Sequence, residues 1–142
     1  MNNRMLQRVR KAVGISCMGI LLSCTGTPQE IPSVTLTGGM EMPVLGLGTY
    51  TLTGDTAIKA VKNALQLGYR HIDAAQAYQN EAEIYEGIKQ SGLKREEVFV
   101  TSKVSPKNMY TGRVRESLEE SVAKLGGYID LMLIHFPVRG EG

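Results

Sequence analysis

Cysteine is nearly missing from this sequence. Cys17 and Cys24 both lie within the first 24 of 142 residues, so the body of the chain has no thiol for a disulfide, a zinc site or a nucleophile. A long apolar run is missing too: the stretch from Ala12 to Leu22 is about half the ~20 residues a helix needs to cross a bilayer. Charge of one sign is scarce. The formal net charge is +2 and its excess comes largely from Arg4, Arg8, Arg10 and Lys11, which excludes a nucleic-acid groove in the folded part. Against these absences stands a hydrophobic content of 42%, ordinary for one globular domain and too high for disorder.

The opening segment differs from the rest. A basic stretch from Asn2 to Lys11 precedes the apolar stretch, and small residues interrupt the latter, which is the pattern of a signal peptide over residues 1–24. Leu21-Leu22-Ser23-Cys24 resembles a bacterial lipobox, so Cys24 is the expected lipidation site and the product a membrane-anchored lipoprotein. The alternative is an unstructured extension ahead of a cytoplasmic enzyme. Residues 25–33, with Pro28 and Pro32, read as a short tether, and residues 34–142 as the folded part.

That part alternates between strand-like and helix-like segments. Val34 to Leu36 and Met40 to Val44 flank Thr37-Gly38-Gly39, which predicts a small hairpin. Leu45 to Tyr50 reads as a first strand. Ala57, Ile58, Val61, Ala64 and Leu65 follow at helical spacing, with Gly68 as the stop. Tyr69 to Ala74 is a second strand. Asn80 and Glu83 look like a capping pair for a helix running to Gly92. Val98 to Lys103 is a third strand. A helix from about Thr111 would bury Val114, Leu118, Val122 and Leu125 before Gly126-Gly127 ends it. Ile129 to Phe136 is apolar after Asp130, as expected of a parallel strand covered on both faces. The class is α/β, and this pattern fits half of a (β/α)8 barrel or an open doubly wound sheet.

Asp73, Lys103 and His135 fall at the carboxyl ends of successive strands, where parallel α/β folds build active sites, and Tyr78 lies just past Asp73. Singly, each has a plain reading: a strand-end cap, a solvent-facing lysine, a structural histidine, a partly buried ring. Together they can deliver a proton to a carbonyl oxygen. A tyrosine, with a reference pKa of about 10, becomes an effective acid near neutrality when a cation favours its phenolate. Lys103 can supply that charge, Asp73 can hold the ammonium, and His135 can donate a hydrogen bond to the substrate oxygen. His71 reads as structural. Gly46 and Gly48 lie within a strand and lack the following glycine of a dinucleotide fingerprint.

Gly68-Tyr69-Arg70-His71-Ile72-Asp73-Ala74-Ala75, followed by Tyr78 and Asn80-Glu81, resembles the first signature of the aldo-keto reductases. Leu45 to Tyr50, Val98 to Val104 and Ile129 to Pro137 are similar to that family's first, third and fourth barrel strands. The resemblance implies a (β/α)8 barrel, here its amino-terminal hairpin and first four strands. It also implies a catalytic tetrad of Asp73, Tyr78, Lys103 and His135, reducing aldehydes or ketones with NADPH, or with NADH as the alternative. Gly48, Thr49, Tyr50 and Asp73 would border the cofactor; Tyr50, His135 and Phe136 would line the pocket for a small carbonyl substrate. Tyr50 and Phe136 stand where the family often has tryptophan, and Tyr85 where its signature has glycine or serine.

The family's pyrophosphate and adenosine contacts lie in later strands, so residues 1–142 alone are expected to hold cofactor poorly and to be inactive. Two strand edges and an apolar inner face would then be open to aggregation or pairing. An inert lipid-anchored interaction module is the alternative function, and a half-barrel that closes by dimerising is a third. Export and NADPH compete as expectations, since that cofactor is cytoplasmic.

Overall fold

The hairpin heralded by Thr37-Gly38-Gly39 comes first. Strands β1 (Ser33–Thr35) and β2 (Glu41–Pro43) run antiparallel, with Val34 opposite Met42. A computed structural model describes residues 31–137 of the chain. The signal-like segment, Cys24 with its expected lipidation, most of the tether and residues 138–142 lie outside the described residues. His71 ties the hairpin to the body of the fold: its Nδ1 lies 3.0 Å from the Pro43 carbonyl and its Nε2 3.0 Å from Thr101 Oγ1. Both ring nitrogens are thereby occupied, which is the structural role expected of it.

Four parallel strands in sequential order form the second sheet: β3 (Leu47–Gly48), β4 (His71–Asp73), β5 (Phe99–Val104) and β6 (Leu131–Ile134). Helix α1 (Gly54–Gln66) joins β3 to β4 and α2 (Glu81–Ser91) joins β4 to β5. Between β5 and β6 the predicted helix is α4 (Val114–Lys124), and a short α3 (Pro106–Tyr110), absent from the expectation drawn from the sequence, precedes it. Pro106 opens α3 at a position where its missing N–H costs nothing.

The core lies between sheet and helices. Val61 and Leu65 of α1, Ile84 and Ile88 of α2, Val98, Ile72, Val100 and Leu125 are all buried together. Gly87 lets α1 and α2 meet, because a Cβ there would stand 2.8 Å from both the Ile58 carbonyl oxygen and Val61 Cβ. Tyr85, the departure from the family signature, fits because its ring lies directly over Gly126, whose φ of +88° and missing side chain both suit that turn.

Two expectations fail. The buried face of α4 carries Ser117 and Ser121 in register with Leu125, whereas Val114 is exposed. Glu81 is the reason at Ser121: buried at the start of α2, its carboxylate accepts from Ser102 Oγ at 2.7 Å and Ser121 Oγ at 3.0 Å, while the Ser117 hydroxyl donates to the Val114 carbonyl of its own helix at 2.9 Å. The fourth strand leaves its apolar residues open, as expected of a sheet of four strands. Leu133 and Ile134 are exposed, Ile134 at 63%, because β6 pairs only with β5 among the described residues. Strand β3 is also shorter than Leu45 to Tyr50: Gly46 passes against the His71 ring and the chain leaves the sheet at Thr49.

Candidate active site

Parallel pairing of β4 with β5 places Asp73 opposite Thr101, so Lys103 emerges two residues beyond it on the same rim. Lys103 Nζ donates to Asp73 Oδ1 and, at 2.9 Å, to the Ala74 carbonyl. The lysine side chain is largely covered while Asp73 stays half open to solvent. The ammonium is thus anchored by two acceptors on β4 with its remaining capacity free.

After Ala75 the chain makes one tight turn, Gln76–Tyr78, and Gln79 takes a left-handed conformation at φ +56° that starts α2. That turn carries Tyr78 back over the strand ends, where Lys103 Nζ lies 5.3 Å from the centre of its ring. His135 follows β6, its backbone N–H donating to the Val104 carbonyl at 3.3 Å. Its ring stands edge-on to Tyr78 at 5.5 Å between centroids. His135 Nδ1 is buried with no hydrogen-bond partner, so this ring keeps a polar group in reserve.

Two more aromatic rings close the site. Tyr50 lies 5.2 Å from Tyr78, and Phe136 lies 5.4 Å from His135. Tyr50, Ala77, Tyr78, His135 and Phe136 bound an open cleft of about 420 Å³. Asp73, Tyr50, Tyr78, Lys103, His135 and Phe136, from the ends of all four parallel strands, are therefore brought to one place. The cleft can take a small planar group between aromatic walls, with a phenol and an imidazole facing it.

Gly48 sits at the end of β3 with nothing within 4 Å of where a Cβ would point, which leaves room for a flat ring beside it. Thr49 is different. It is fully buried, and both its N–H (3.0 Å) and its hydroxyl (2.9 Å) donate to the Asp73 carbonyl, so its side chain braces β3 against β4. A nicotinamide fits this end of the sheet on chemical grounds: an open glycine edge, aromatic walls and the unpartnered His135 Nδ1. The cleft lining holds no cation for its phosphates.

Several polar residues that organise the site escape a reading of the sequence. Asn80 caps nothing with its side chain; instead Nδ2 donates to the carbonyls of Thr49 (2.9 Å) and Leu52 (2.8 Å). Gln76 accepts from the Ser105 N–H (2.8 Å) and Asn108 Nδ2 (2.9 Å) and donates to the Ser117 carbonyl (3.0 Å) and Ser121 Oγ (3.2 Å). The turn bearing Tyr78 is therefore pinned to the loop after β3, to the connection after β5 and to α4. The only hint in the sequence is that both amides flank Tyr78 by two residues.

A family model described as the aldo/keto reductase family matches residues 44–140. A methylglyoxal reductase of Salmonella typhi is 45% identical over 103 residues, covering 72% of this chain and 39% of the relative. An NAD(P)H-dependent D-xylose reductase of Candida tropicalis is 41% identical over 122 residues, covering 79% and 36%. Among solved structures, an aldo/keto reductase from Brucella melitensis superposes with a TM-score of 0.72 at 38% identity, covering 77% of this chain and 42% of that one. A Bombyx mori aldo-keto reductase in complex with NADP gives 0.66 at 39% identity, covering 77% and 39%. The chain spans about two fifths of the length of the curated relatives it matches.

Proposed function

Since this chain belongs to the aldo/keto reductase family, its sheet being the first four strands of that (β/α)8 barrel, we propose that it supplies the proton-delivering site of an NADPH-dependent carbonyl reductase. The observation that carries the reading is the run of contacts from Asp73 through Lys103 to the ring of Tyr78 and on to His135, the last two of which line the cleft. When bound, the reduced nicotinamide supplies a hydride to the carbonyl carbon. Tyr78 gives its hydroxyl proton to the carbonyl oxygen, which becomes the alcohol. Lys103 stabilises the phenolate left behind, and the Asp73 carboxylate and Ala74 carbonyl hold that ammonium in place. His135 orients the oxygen between itself and Tyr78. Small aldehydes and ketones suit the cleft, and a tyrosine and a phenylalanine as its walls leave more room than two indoles would.

Grafting tests this directly. Residues 31–137 would replace the matching segment of the Salmonella methylglyoxal reductase, and NADPH oxidation would be followed with methylglyoxal as substrate. Carbonyl-dependent oxidation that falls by about a hundredfold to ten-thousandfold in Tyr78→Phe is the expected result. A chimera that folds and binds NADPH yet turns nothing over would reject the reading in favour of an inert interaction module. Lipid anchorage at Cys24 is a separate proposal that competes with the use of NADPH, resting on the lipobox-like Leu21-Leu22-Ser23-Cys24 and checked by the mass of the mature amino terminus.

A further inference from the structure

We infer that Asn80 is a positioning residue for substrate recognition: its amide holds the turn Thr49–Leu52 so that Tyr50 stands over Tyr78 as a wall of the cleft. The inference rests on the proposed carbonyl chemistry for its meaning but not for its geometry. Tyr50 is 71% exposed and its ring approaches that of Tyr78 at 5.2 Å. With so little packing around it, the ring goes where its backbone goes.

That backbone is held at few points. Thr49 hangs from the Asp73 carbonyl by its N–H and its hydroxyl, and the Leu52 N–H closes the turn on the Thr49 carbonyl at 3.2 Å. Between them Thr51 adopts a left-handed conformation at φ +65°, which a β-branched residue resists unless its surroundings impose it. Asn80 grips both ends of this strained turn, donating one N–H to the Thr49 carbonyl and the other to the Leu52 carbonyl. It is 1% exposed, and its Oδ1 has no partner. The side chain is therefore used as a twofold donor and as nothing else. Standing two residues after Tyr78, it fixes the proton donor and the wall opposite it from one piece of chain.

The chemistry of the amide makes the idea testable. Aspartate is isosteric and serine small, and both cap helices as well as asparagine, but neither can give two N–H bonds to two carbonyls. Asn80→Asp and Asn80→Ser would be made in the whole 142-residue chain and compared by NMR without cofactor. In both variants the ring-to-ring Overhauser contact between Tyr50 and Tyr78 should vanish. The Leu52 amide should exchange about tenfold faster while the α2 amides, beginning with Ile84 bonded to the Asn80 carbonyl, stay within about twofold. If the aspartate variant does not fold, the serine variant decides alone.

Persistence of the Tyr50–Tyr78 contact in Asn80→Ser would overturn the inference. So would joint acceleration of loop and α2 amides, the mark of a helix cap. In an active chimera, Asn80→Ser should raise KM about three- to tenfold with a smaller change in kcat, and an unchanged KM would also overturn it. An inactive chimera beside a lost ring contact would reject the carbonyl chemistry and leave the clamp standing.

Discussion

At the amino-terminal end of the parallel sheet Arg95 meets Asp130 at 3.0 Å; at the carboxyl-terminal end Lys103 meets Asp73. The arginine spends four of its five N–H donors on the fold. Its Nε donates to the Leu125 carbonyl (2.9 Å), Nη1 to that of Val98 (2.5 Å) and Nη2 to that of Tyr128 (3.0 Å), with its plane 4.0 Å from the Tyr128 ring. Asp130 Oδ2 also accepts the Val100 N–H at 2.8 Å. The lysine end, by contrast, leaves Asp73 half open, Tyr50 and Phe136 exposed and His135 Nδ1 unpartnered. Two ion pairs of the same sign pattern thus serve different ends. Where nearly every donor is spent the pair holds the fold, and where more capacity is left over the site can still receive a ligand.

The comparison breaks most visibly at Arg95. Arg95→Met should cost about 3–5 kcal/mol, since it leaves Asp130 charged and three carbonyls unpaired in a covered site; urea unfolding of the chain measures it. Lys103→Met is the matching change at the other end and should alter unfolding by at most about 1 kcal/mol, because its partner is solvated. Its effect should appear instead as a loss of about a hundredfold or more in the turnover of the grafted reductase. Equal destabilisation by the two substitutions would dissolve the distinction.

Between the two ends lies the Glu81 layer, which sharpens the contrast. Ser121→Ala removes one of the two hydroxyls on that buried carboxylate and one bond from Gln76. A loss of about 1–2 kcal/mol in urea unfolding is expected. No change would mean that α4 is not held by Ser121.

The two ends also differ in how far the sequence discloses them. Helices α1 and α2, the hairpin and the placing of Asp73, Lys103 and His135 at strand ends are legible because apolar spacing and glycine stops report local geometry directly. Asn80 is not, since a short amide before a helix can cap it or reach away to another segment, and only the loop after β3 decides between them. The inward face of α4 is misleading for a related reason: Val114 and Leu118 satisfy the apolar period, but the buried Glu81 takes the Ser121 hydroxyl and Gln76 the Ser117 carbonyl. The exposure of β6 is legible in the count of strands and not in its apolar content, which alone points to an interior. Arg95 gives no sign at all, being one of several charges before a strand and distinguished only by the carbonyls that converge on it.

The smallest expected effect concerns the ring beneath Arg95. Burial pushes the Tyr128 phenol up from its ordinary range, against the opposing pull of the Arg95 guanidinium. A raised value means that the folded chain keeps a proton the unfolded chain gives up. Stability from this group is therefore complete below about pH 10, the unfolded value, and falls as pH rises through the folded one. Tyr128→Phe keeps the ring under the guanidinium and removes the proton. The alkaline decline in unfolding free energy should be shallower in the variant, while the two chains match near neutrality. A decline that is steeper in the variant would mean that the guanidinium outweighs burial and that the phenolate is the form this end of the sheet prefers.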